Sequence, residues 1–228
     1  MFSKKGLNQT FIILNHNFSI MFTEPRQKQL FEKVKEYFRV NKSDQLHDID
    51  HIIRTVFWAE LLSKKENADL SITIPAAILH DIGMPKYGDE LHAREGARMC
   101  KPFLKDCSYT DDEIAKIAET VFMHSTDDPR QCKSLEGQVL FDADKLDATG
   151  PIALHRWFFE YSKRGYLHHE CLNKILEHLQ RLKNKYGEPP FFTKTGKQIG
   201  KDRLKYLEDK CKEILQDLDK FQDFYKLL

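Results

Sequence analysis

The sequence predicts an all-α protein, and three observations carry that prediction. Apolar residues recur at three- and four-residue steps, no segment alternates with the two-residue period of a half-buried strand, and only 10 Gly and 8 Pro punctuate 228 residues. With 41% hydrophobic and 31% charged residues, the composition is that of a folded domain rather than a disordered chain. A chain of this length buries enough apolar surface to fold without disulfides.

Residues 1–25 read as an N-terminal extension, with Met1 and Met21 both available as starts. Phe11-Ile12-Ile13-Leu14 follows Lys4 and Lys5, yet Asn15, His16 and Asn17 interrupt it and no small-residue cleavage site follows, so no signal peptide is expected. Residues 26–165 read as a helical core. Within it, Ile49, Ile52, Ile53, Val56, Phe57, Leu61 and Leu62 give a helix from His47 to about Lys65 one buried face. Ile72 to Ile82 is apolar nearly all round, which predicts a central buried helix with His80 and Asp81 in its last turn, stopped by Gly83 and Pro85. Leu91 to Leu104 forms the next. Thr110-Asp111-Asp112-Glu113 is a capping box that starts a helix running to about His124. Helices from about Leu135 to Ala148 and from Ile152 to about Tyr161 flank a break at Gly150-Pro151. Residues 166–228 read as C-terminal helices packed on the same domain, roughly Glu170 to Lys185 and Lys201 to Leu228, joined by a Gly187 to Gly200 loop.

Charge and cysteine usage narrow the function. Thirty-six basic against 35 acidic residues leave a formal charge of +1, so no global field draws the chain to nucleic acid or to an anionic membrane. Any anionic ligand must be held locally. The five cysteines are scattered and never form a Cys-x-x-Cys pair, which points to reduced thiols and a cytoplasmic location.

The stretch Ile78-Leu79-His80-Asp81-Ile82-Gly83 places two ionisable side chains in a segment built for burial. Taking an imidazole and a carboxylate out of water together costs on the order of several kcal/mol unless each is compensated. His51 and Asp144 also come from apolar helical contexts. A divalent cation would compensate all four, because neutral imidazole nitrogens and carboxylate oxygens are the donor set that transition metals accept. A buried ion-pair network without metal is the alternative, although such networks rarely outdo an apolar core. His16, His155, His168, His169 and His178 have no such context and read as ordinary packing or surface residues.

Five separated motifs add a resemblance. His47-Asp48-x-x-His51-x-x-Arg54, the run from Ile78 to Gly83, His92-Ala93-x-x-Gly96-Ala97, His124, and Asp142 to Ala148 together resemble the HD-domain metal-dependent phosphohydrolase superfamily, over about residues 45 to 160. Phe191 to Asp209 is similar to the C-terminal region of small stand-alone bacterial members. The resemblance implies an all-α HD-domain helical bundle with a C-terminal helical extension.

It also implies a divalent metal ion (Mn, Mg, Ni, Co, Fe or Zn) on His51, His80, Asp81 and Asp144, with Asp147 supporting them from the next helical turn. His92 and His124 occupy the stations of a second metal or of a phosphate contact. The implied activity is hydrolysis of a phosphate ester or anhydride, on a nucleotide, by metal-activated water. Asp81 and Lys145 would serve the catalysis, and Arg54, Lys145 and Arg156 would bind the substrate. Where nucleotidase-type relatives carry an acidic residue this chain has Met84 and Lys86, which leaves the general acid unassigned. Two rivals stand beside this reading: a mixed-valence di-iron HD oxygenase, and a non-catalytic HD ligand-binding protein. The aromatic group Trp157-Phe158-Phe159-Tyr161 reads as helix packing first and as a base platform second.

Overall fold

A computed structural model describes residues 22–42, 44, 46–125 and 132–221. Most of the N-terminal extension and the last seven residues of the tail lie outside them. The described residues form nine α-helices and no strand: α1 (Pro25–Val40), α2 (Ile49–Glu66), α3 (Leu70–Leu79), α4 (Met84–Asp106), α5 (Asp111–Met123), α6 (Leu135–Asp147), α7 (Gly150–Lys163), α8 (His168–Tyr186) and α9 (Lys194–Leu218).

Helix α3 is the centre. Asp69 caps it by accepting from Ser71 N at 2.8 Å, and Ile74, Ala76, Ala77, Ile78 and Leu79 are fully buried because α1, α2, α5 and α6 all pack on it. It ends at Leu79, three residues before the predicted end at Ile82, so His80 and Asp81 follow the helix instead of forming its last turn. His80 to Gly83 forms a turn, held by Ile82 N on Leu79 O (3.0 Å) and Met84 N on Asp81 O (2.9 Å). His80 keeps helical backbone angles (φ −54°, ψ −40°), so His80 and Asp81 continue the course of α3 as a tighter turn closed by bonds three residues apart. Gly83 is required there: a Cβ would stand 2.4 Å from the His92 carbonyl oxygen.

Three elements depart from the sequence reading. Helix α1 occupies residues that the periodicity left unassigned. Its buried positions Leu30, Phe31, Val34 and Phe38 are diluted by Lys, Glu and Arg, and the Gln27 side chain accepts from Thr23 N (2.9 Å) to secure its start. Helix α4 begins at Met84 because Pro85 lies in its first turn, where a missing N–H costs nothing. It is interrupted at Gly88, whose φ of 66° and ψ of −176° only glycine adopts without strain. Helix α9 begins at Lys194, inside the expected loop, because Thr193 caps it by accepting from Gly196 N (2.9 Å).

The C-terminal helices are tied to the core by Asp142. Its buried carboxylate accepts from Phe192 N and Thr193 N (2.8 Å each) and from Thr193 Oγ1 (2.7 Å). Arg203 on α9 adds a second tie, donating to Leu146 O (3.1 Å) and Thr149 O (2.6 Å) while its guanidinium lies over the Trp58 ring.

Candidate metal centre

Each side chain at the centre is delivered by a locally specified element. Asp48 caps α2 and accepts from His51 N (2.9 Å), fixing His51 in the first turn. The broad packing of α2 on α6 turns His51 towards Asp144 and Asp147. The pairing of α4 with α5 brings His92 to His124. The turn after α3 places His80 and Asp81 between them. His51, His80, Asp81, His92 and His124 are all buried.

The hydrogen bonds determine which nitrogen of each imidazole faces inward. His51 Nδ1 donates to Asp147 Oδ2 (2.7 Å), His80 Nδ1 to Ala77 O (2.9 Å), His92 Nδ1 to Asp89 O (2.7 Å) and His124 Nδ1 to Val121 O (2.6 Å). Carbonyl and carboxylate oxygens only accept, so each Nδ1 carries the proton and each neutral ring presents a bare Nε2. Two pairs of these atoms meet, His51 with His80 and His92 with His124, both at 3.1 Å. Facing lone pairs at that distance repel unless a positive charge lies between them.

Asp81 sits between the pairs. Its Oδ2 lies 3.3 Å from His80 Nε2 and 3.5 Å from His51 Nε2; its Oδ1 lies 3.7 Å from both His92 and His124. Oδ2 is buried with no hydrogen-bond partner. An ionised oxygen left so in a protein interior needs a cation. Among the described residues, two groups have donor atoms close enough together to hold one: His51 with His80 and Asp81, and Asp81 with His92 and His124. Asp144 adjoins the first group, with Oδ1 3.3 Å from His51 Nε2 and Oδ2 accepting from Lys145 at 2.8 Å.

The two groups differ in electrostatic setting. Burial opposes charge on His51, but Asp144 and Asp147 outweigh it and raise its pKa. Burial prevails at His124, which is pushed down to about 4 despite Asp81. Burial also opposes ionisation of Asp81, yet His80 and His124 hold it well below the usual carboxylate range. Asp147 is held at about 2 against its burial by His51, Arg156 and Arg54.

This geometry has known counterparts. Residues 48–149 match the HD-domain family. The matched segment is HD-like and makes up less than half of the chain. A predicted HD superfamily hydrolase from an uncultured Thermotogales bacterium shares the fold with a TM-score of 0.60 and 25% identity, over 85% of this chain and 93% of that one. An HD-superfamily hydrolase from Bacillus thuringiensis aligns with a TM-score of 0.68 at 24% identity, over 85% of this chain and 97% of the other. The Bacillus subtilis protein YpgQ is 26% identical over 178 residues, 75% of this chain and 84% of its own. The structure of YpgQ in complex with ADP aligns with a TM-score of 0.64 at 22% identity, over 84% of this chain and 94% of that one.

The centre opens through a pocket of about 320 Å³, with His51 and Asp144 among its lining residues. Lys145 and Arg156 line it too. Arg54 does not. Its Nε donates to Asp147 Oδ1 (2.7 Å), so it buttresses the carboxylate that orients His51. Arg156 also donates to Asp147, and to Leu46 O, while presenting itself to the pocket. Trp157 lines the pocket with its ring 4.5 Å from that of His178. His178 and Arg181 reach the pocket from α8 and Arg164 from the end of α7. Sequence reasoning set His178 aside and assigned nothing to the two arginines. Only their i, i+3 spacing, which puts His178 and Arg181 on one helical face, hinted at a shared role.

Proposed function

We propose that the chain is a divalent-metal-dependent phosphohydrolase acting on a nucleotide, with cations held by His51, His80, Asp81 and Asp144 and, on the other side of Asp81, by His92 and His124. One observation carries this reading: a carboxylate with an unpartnered oxygen lies between two pairs of bare imidazole nitrogens, beneath a pocket lined by cationic side chains. Imidazole and carboxylate donors suit Mn, Fe, Co, Ni and Zn. A cation bound there supplies Lewis-acid charge to phosphoryl oxygens and lowers the pKa of water.

The chain's own groups do the rest. The backbone and carboxylate acceptors on each Nδ1 hold the rings in the ligating tautomer and orientation. Lys145, half-buried yet kept charged because Asp144 outweighs its desolvation, offers a cation to the oxygens where charge builds in phosphoryl transfer. Arg156 adds a second. Arg54 acts at one remove, through Asp147 and His51. The pocket suits a nucleotide in having a cationic floor and an indole wall, and YpgQ, which shares the fold, takes ADP.

The test is elemental analysis of the purified protein, followed by a panel of nucleoside mono-, di- and triphosphates with Mn²⁺ and product identification. Release of phosphate or diphosphate is expected. A protein that releases neither from any nucleotide, but consumes oxygen when loaded with iron, would instead be the di-iron oxygenase.

A further inference from the structure

The pocket has a wall that the matched segment, residues 48–149, does not supply. Helices α7 and α8 bring Trp157, Arg164, His178 and Arg181 to it. The other cations that line it already have a carboxylate partner: Lys145 pairs with Asp144 (2.8 Å), Arg156 with Asp147, and Arg164 with Glu160 (2.8 Å). Arg181 differs. It is exposed at the rim, and among the described residues no hydrogen bond or ion pair engages it, Asp44 and Asp89 of the same pocket lying beyond ion-pair distance.

The neighbours of Arg181 make this vacancy directional. His178, one turn earlier, is half-buried against Trp157, and burial with the charges of Lys145 and Arg181 pushes its pKa down to about 4. The wall between the two cations thus stays uncharged. Lys145, on α6, lies beside Asp144 at 2.8 Å, and Arg181, on α8, lines the same pocket from an exposed position. A guanidinium with a free fork matches phosphate oxygens bidentately.

Resting on the phosphohydrolase reading, we propose that Arg181 is a specificity-determining residue that binds an anionic group of the substrate beyond the phosphoryl group at the metal centre. Substrates with two or more phosphates are then favoured over monophosphates. The C-terminal extension, which carries Arg181, supplies the selectivity while the HD-like segment supplies the chemistry.

The experiment compares wild type with Arg181→Ala, Arg181→Lys and Arg181→Glu on AMP, ADP and ATP, with Mn²⁺ present. An exposed charge-assisted contact corresponds to about a tenfold rise in KM for ADP and ATP in Arg181→Ala, with kcat and the AMP kinetics little changed. Arg181→Lys recovers part of the loss and Arg181→Glu deepens it. A parallel binding readout needs no turnover: the pocket contains Trp157, whose emission is titrated with ADP and AMP without metal, and the ADP affinity falls by the same factor in Arg181→Ala. Equal effects on AMP and ADP, or an unchanged ADP affinity, would overturn the proposal. If wild type hydrolyses no nucleotide, the phosphohydrolase reading fails, and the titration still decides whether Arg181 binds the second anionic group.

Discussion

The two sides of Asp81 are built alike and supported differently. Both present a pair of Nε2 atoms 3.1 Å apart and share one carboxylate. On the α2 and α6 side the support at His51 is ionic, since Asp144 stands beside it, Asp147 holds its Nδ1, and Arg54 and Arg156 clamp Asp147, while His80 rests on Ala77 O. On the α4 and α5 side it consists of backbone carbonyls, Asp89 O and Val121 O, and Asp81 is the only carboxylate in the metal-sized group. The pKa of His51 accordingly moves up and that of His124 down. A cation gains more from the first arrangement, because two negative charges face it there and one on the other side.

The largest effect is expected from removing the shared residue. Asp81→Ala should lower hydrolysis at least about a hundredfold, the order associated with losing a metal-generated nucleophile, and should reduce bound metal on both sides. An unchanged rate would end the mechanism. Next come the paired variants His80→Ala and His92→Ala, compared by elemental analysis at limiting metal. The first should lose the tighter cation and the activity with it; the second should lose only the weaker. Equal losses would remove the distinction between the two sides.

Asp147→Asn sharpens the comparison by leaving every metal donor in place. Loss of the charge that orients His51 should weaken metal binding on that side by about ten- to a hundredfold, read by competition with a chromogenic chelator, with the His92 and His124 side unaffected.

The smallest effect lies far from the centre. Arg26 joins α1 to the start of α5 by donating to both Glu113 oxygens (2.7 and 3.0 Å), and the Glu113 carboxyl is thereby held at about 2, below its ordinary 4.5. A depressed carboxyl contributes stability above its ordinary pKa and loses that contribution as the pH falls towards about 2. Glu113→Gln should therefore cost no more than about 1 kcal/mol at neutral pH, as befits a partly exposed pair, and should flatten the acid limb of the stability profile. Urea denaturation at several pH values would check it.

Much of this protein was legible in the chain. Helices α2, α3 and α5 announce themselves through local apolar spacing and caps, and the clustering of His51, His80, Asp81, His92 and His124 followed from motifs whose order matches a known family. Local signals misled where one residue served two elements. Gly83 and Pro85 read as the end of one helix, and they also begin the next. Gly196 and Gly200 read as loop, yet they lie in α9, where the Thr193 cap and the Asp142 tie outweigh their low helix propensity.

Residue types and their order along the chain determined by themselves that this protein is helical and that His80 and Asp81 lie in a segment built for burial. Tertiary packing decided which nitrogen of each ring faces inward, that Arg54 serves Asp147 while Lys145 serves the pocket, and that α8 closes one wall. The reason is distance: propensity, capping and burial pattern act over a few residues, whereas a hydrogen bond between His51 and Asp147 spans 96 positions and exists only once α2 has packed on α6.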